Sequence, residues 1–180
     1  MCGWMLAILV IPDAKPKAST AWRSDLSGLP LSTRRAYGRL ISTLFTCQDA
    51  SIKQLKPMLL KDTKGLVSKE IPVFALTLTG SEGCAIIAYF TRSTGQLVER
   101  FEYRRSPNQA SKSSFAAAGI TSVQFVDPTS NSHIFRDSFS ARLFIGSRTS
   151  DRVSGSINIV FADPKRSFVS GSFKARLVGF

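Results

Sequence analysis

Phe125-Val126-Asp127-Pro128, followed by Asp137-Ser138-Phe139-Ser140-Ala141-Arg142-Leu143, returns later as Phe161-Ala162-Asp163-Pro164, followed by Gly171-Ser172-Phe173-Lys174-Ala175-Arg176-Leu177. The shared pattern is F-x-D-P, a spacer, then S-F-x-A-R-L. Asp-Pro opens turns, because the carboxylate accepts from backbone N–H groups just ahead of it and proline presets the next φ. The second half alternates apolar and polar side chains, which is the period of a strand. Each copy therefore reads as a β-hairpin. The spacers differ by two residues, a change that leaves the faces of the strands unreversed. Between the copies Val153, Gly155, Ile157, Ile159 and Phe161 alternate with Ser154, Ser156 and Asn158, so the last third of the chain reads as a meander.

Upstream, the same period holds back to residue 71. Phe74, Leu76 and Leu78 share one face of residues 72–79, and residues 84–91 (CAIIAYFT) form an apolar run of strand length. Residues 96–104 alternate again and pair with that run as a hairpin on this reading. Residues 105–119, basic at their start and rich in Ser and Ala, read as a long loop. Before residue 70 the period changes. Residues 31–46 (LSTRRAYGRLISTLFT) place Ala36, Leu40, Ile41, Leu44 and Phe45 at helical spacing behind a Ser32 or Thr33 cap. A second short helix is expected over residues 51–60, although Pro57 fits it poorly. The expected architecture is one mainly β domain. It is an antiparallel β-sandwich or small barrel of about seven strands over residues 71–180, with one or two N-terminal helices in residues 19–70 packed on it. The expected core is Phe74, Leu76, Ile87, Phe101, Phe125, Phe139, Leu143, Ile157, Ile159, Phe173 and Leu177.

At 180 residues the chain is long enough to bury about 70% of its unfolded surface. Apolar residues at 43% and charged residues at 20% exclude disorder throughout. Catalytic motifs are missing from this composition. There is no G-x-S-x-G, no H-E-x-x-H or C-x-x-C, no phosphate-cradling glycine loop, and only one histidine, His133. Asp127 and Asp163 are accounted for by turns, and Glu99 and Glu102 fall on opposite faces of one strand. No enzyme activity, metal or cofactor is expected.

Charge is the remaining functional signal. The net charge is +12, split evenly between the residues before and after position 70. In the repeat, Arg142 and Arg176 occupy the same place and point away from Phe139 and Phe173, with Arg136 and Lys174 on that parity. Together with Arg104 and Arg105 they are the candidate anion-binding set, suited to phosphate, sulfated glycan or anionic lipid headgroups.

Residues 4–11 (WMLAILVI) are too short to span a membrane, which takes roughly 20 apolar residues. With the polar stretch after them they read as the end of a secretory signal within residues 1–18; the alternative is a buried strand. Removal of a signal would leave two cysteines, Cys47 and Cys84, able to form a disulfide in an oxidising compartment; the alternative is two buried thiols. Two functional readings result. The first is a non-enzymatic secreted or periplasmic β-domain with a binding or structural role toward an anionic polymer, glycan or membrane surface. The second is a nucleic-acid-associated β-protein, of jelly-roll coat or RNA-binding type, for which exposed aromatics among the arginines would speak.

Overall fold

A computed structural model describes residues 34–41, 43–61, 67–92, 97, 99–105, 119–136 and 138–180. The signal-like segment expected at residues 1–18, and residues 106–118 of the expected loop, lie outside them. Twelve strands make up 72% of the described residues: β1 Tyr37–Leu40, β2 Thr43–Gln54, β3 Met58–Lys61, β4 Val67–Ile71, β5 Val73–Gly80, β6 Ala85–Thr91, β7 Phe101–Arg105, β8 Gly119–Val126, β9 Ser132–Phe135, β10 Phe139–Arg148, β11 Arg152–Phe161 and β12 Phe168–Val178. Ten of them form one sheet in the order β7-β10-β11-β12-β1-β2-β5-β6-β8-β9. All its pairings are antiparallel except one: β12 runs past the end of β1 and pairs in parallel with β2, Arg176 opposite Ser51. A separate ribbon, β3 with β4, connects β2 to β5.

The helices expected over residues 31–46 and 51–60 are not formed; among the described residues there is no α-helix. Ala36 and Leu40 stand four apart, a spacing that suits a helix but also keeps both on one face of a strand. Gly38 lies between them, a poor helix residue. As a strand it has a use, because a Cβ there would sit 2.1 Å from the carbonyl oxygen of Phe168 on β12. Ile41, with φ of 57°, turns the chain into β2. There Phe45 and Cys47 point inward, a bulge at Gln48 resets the face, and Ala50 and Ile52 point inward again.

The expected hairpin of residues 84–91 with 96–104 is also replaced. β6 pairs with β5 and β8, and β7 crosses to pair with β10. The two Asp-Pro segments make the same turn. In each, the N–H three residues after the aspartate bonds the Asp carbonyl, at 2.9 Å for Ser130 and 3.0 Å for Arg166. Both Ser130 and Arg166 have positive φ, and the next N–H, of Asn131 or Ser167, donates to the Asp Oδ1. Beyond the turns the two copies diverge. The second turn joins β11 to β12 as a hairpin, whereas after the first β9 takes the pairing with β8 and β10 leaves to join β7 and β11.

The sheet rolls around a single core. Phe90 of β6 meets Tyr103 of β7 at 4.7 Å between ring centres, and Phe135 of β9 meets Phe161 of β11 at 4.4 Å, so side chains from opposite ends of the strand order touch across the interior. Of the expected core, Phe74, Leu76, Phe125, Phe139, Leu143, Ile157, Ile159 and Phe173 are buried. Phe101 and Leu177 pack on the core from its margin. Ile87 is the exception, since Ile86 and Ala88 take the inward positions of β6. Among the described residues the ten strands form one sheet that does not close into a barrel. β7 comes back against β8, yet no backbone ladder joins them among the described residues. The seam is bridged by Arg105, only 3% exposed. Its Nη1 donates to the carbonyls of Ile120 at 3.1 Å and Thr121 at 3.0 Å, its Nη2 donates to the carbonyl of Arg136, and its guanidinium lies 4.6 Å from the ring centre of Phe139.

Arg105→Leu removes the donor from three carbonyls. A buried acceptor left unmet costs about 1–3 kcal/mol, and urea unfolding should show a loss of about 3 kcal/mol. A loss under about 1 kcal/mol would mean that apolar packing alone holds the seam.

Candidate functional site

The six candidate cations do not form one stripe. Arg105 faces inward and is committed to the seam. Arg104 and Arg142, cross-strand neighbours on β7 and β10, share Glu102: Arg142 Nε donates to Oε1 at 2.6 Å, and Arg104 donates to both oxygens at 2.8 and 3.1 Å. The bond from Arg142, joined by that from Arg104, holds the Glu102 carboxyl below the usual carboxylate range, so this group keeps one net positive charge from three. Arg136 is exposed just past β9. Arg142 lies opposite Asn158, and Asn158 opposite Ser170. Arg176 is a further six residues along β12, about 20 Å at strand rise.

Lys174 and Arg176 do come together, with two arginines that the sequence pattern had not singled out. Arg152 is the direct cross-strand partner of Arg176, and Ser154 that of Lys174. Arg35 arrives from the other side: Ala36 N–H donates to the Ser172 carbonyl at 2.8 Å, and Ser172 N–H to the Arg34 carbonyl at 2.7 Å. That approach depends on Gly171, whose φ is 141° and whose Cβ, if present, would stand 2.5 Å from Ala36 Cα. The bulge at Gln48 supplies the last element, turning Asp49 outward, where Arg176 Nη2 donates to its Oδ2 at 2.9 Å.

The result is a cleft of about 480 Å³ whose lining includes Arg35, Asp49, Arg152, Ser172 and Lys174, with Arg176 tied to it through its bond to Asp49. Four cations face two exposed acids, Asp49 and Asp151, the latter 3.6 Å from Arg152. The hydrogen bond from Arg176 keeps the Asp49 carboxyl below its ordinary value, so it stays ionised at neutral pH and competes with any incoming anion. What the cleft can do is hold a phosphate or sulfate group, arginine offering paired N–H donors and lysine a point charge.

Other sequence candidates fall elsewhere. Cys47 and Cys84 are free, buried thiols. Cys47 Sγ donates to the Asp49 carbonyl and Cys84 Sγ to the Ser81 carbonyl, at 3.2 and 2.9 Å. His133 sits on β9, 3.7 Å from Asp127 and stacked near Phe125. Among the described residues no three His, Cys, Asp or Glu side chains gather as metal ligands, and no helix is long and apolar enough to cross a membrane. Comparison with family profiles, with curated proteins and with solved structures gave no match.

Burial pushes the Cys47 thiol up to about 11, which leaves roughly one part in ten thousand as thiolate at pH 7. Its alkylation in the folded protein should be slow and climb about tenfold per pH unit through pH 9, where an ordinary thiol levels off. A Cys47–Cys84 bridge in a non-reducing mass map would contradict this state of the protein.

Proposed function

We propose that this chain is a non-enzymatic β-domain that binds an anionic polymer through the cleft formed by Arg35, Arg152, Lys174 and Arg176. The observation that carries the reading is convergence: β2, β11, β12 and the segment before β1 each contribute a charged group to one depression, and cations outnumber acids there. Isolated surface cations meet water on all sides. Four within one cleft raise the local potential and reach a multivalent anion together. A polymer with repeated phosphates or sulfates gains from this more than a single small ion does, because each neutralised charge releases counterions.

Export is the second part of the proposal. It rests on residues 1–18, and the N-terminal sequence of the protein from its native cell tests it: a mature chain starting near residue 15 or 19 supports export, and an intact Met1 removes it.

Binding of a short polyanion followed by fluorescence anisotropy tests the cleft. Four charge contacts at about 0.7 each predict an affinity loss of roughly 50-fold between 50 and 200 mM salt. Arg152→Glu with Lys174→Glu should weaken binding by roughly tenfold or more. Asp49→Asn should tighten it several-fold, since Arg176 is released and one competing charge is gone. Unchanged affinity in both variants would dismiss the cleft as the site.

A further inference from the structure

Along β1 three exposed side chains share one face. Arg35 precedes the strand, Tyr37 opens it and Arg39 comes after, each two residues from the next, so strand geometry spaces them by about 6.6 Å. Tyr37 is 43% exposed. Its ring packs edge-on against Phe168 at 6.0 Å between centres. Its cross-strand neighbours are small, Ser170 on β12 and Thr46 on β2, so no bulky side chain is paired with it on either side. The accessible ring shares this outward face with Arg35, Arg39 and the exposed Leu44, which stands opposite Arg39 on β2.

The two ends of β1 are both basic. Arg35 belongs to the cleft already described. Arg39 lines a second depression, of about 520 Å³, with Ile41, Pro164, Lys165 and Arg166 at the β11–β12 turn, and its Nη2 donates to the Lys165 carbonyl at 3.1 Å. Tyr37 thus stands midway between Arg35 and Arg39, about 13 Å apart along the strand, each of which lines one of the two depressions.

We infer that the polymer bound by this face is a single-stranded nucleic acid, its phosphates seated in the two basic depressions and a base stacked on Tyr37. The inference rests on the anion-binding reading above and deepens it. Sulfated glycans and lipid headgroups meet the cations equally well but have no flat π-face for the ring. A duplex has such faces, but they are stacked inside and out of reach. Stacking on aromatic side chains within a positively charged groove is how single strands are held without sequence preference.

The experiment measures anisotropy of a labelled 12-nucleotide oligo-dT, a duplex of equal length and a heparin fragment against the full chain and its variants. The single strand should bind more tightly than the duplex. Tyr37→Leu should weaken the single strand by roughly 5- to 100-fold and leave heparin within about twofold, so that heparin also reports on folding. Tyr37→Trp should keep or improve oligo-dT binding. If Tyr37→Leu binds oligo-dT as well as the parent, or if the duplex matches the single strand, the nucleic-acid inference fails, while loss of all three ligands in Arg152→Glu with Lys174→Glu keeps the anion-binding cleft. Should Tyr37→Leu also lose heparin through misfolding, Tyr37→Trp and the strand-against-duplex ratio of the parent decide. No binding of any of the three by the parent chain overturns both readings.

Discussion

The guanidinium of Arg105 stands where a backbone ladder would otherwise close the roll. β7 and β8 approach with their strand edges facing, and an edge brought in from water without partners costs free energy at every unmet carbonyl. One planar cation carrying several donors answers carbonyls from β8 and from the end of β9 together, and the face of Phe139 covers the guanidinium. Burying a charge is expensive unless it is well bonded. Lysine, with a single nitrogen, would not span the same carbonyls. β7 keeps its ladder with β10 on one edge, and on the other the side chain of Arg105 reaches the carbonyls that a further ladder would have met.

The inward faces of β10, β11 and β12 were legible because their apolar residues alternate in sequence, whereas Ser140, Ser156 and Asn158, on the polar parity, are buried as well. Phe139, Ala141 and Leu143 are all buried, as are Phe173 and Ala175, and both Asp-Pro turns do what their side-chain chemistry implies. β1 and β2 were not legible, since Ala36 and Leu40 satisfy two periods at once and only a tertiary contact, the fit of Gly38 under Phe168, chooses between them. The partner of β7 was misread for another reason: neighbours in sequence were paired, whereas the fold pairs β7 with β10 across a long gap. Arg105 has the same parity as Tyr103, which is inward, but ending the strand at Arg104 concealed it.

Legibility of the cleft divided in the same way. Lys174 and Arg176 came from the repeat. Arg152 was within reach of counting, because the turn at Asp163 and Pro164 sets the β11–β12 register and places it opposite Arg176. Arg35 and Asp49 were beyond it. The first depends on the backbone conformation at Gly171, the second on a one-residue bulge, and neither has a signature that a periodic pattern reveals. Each element of the cleft is thus held by backbone geometry.

The earliest and latest described strands meet in the middle of the sheet. β1 lies between β12 and β2, and β12 then completes the far half of β2 in parallel. A chain emerging from the ribosome therefore presents β1 and β2 long before their neighbour has been synthesised, and until then that strand edge is open to pairing with other chains. Joining segments so distant in sequence also slows folding. Synthesis is accordingly a stage at which β1 is exposed to aggregation.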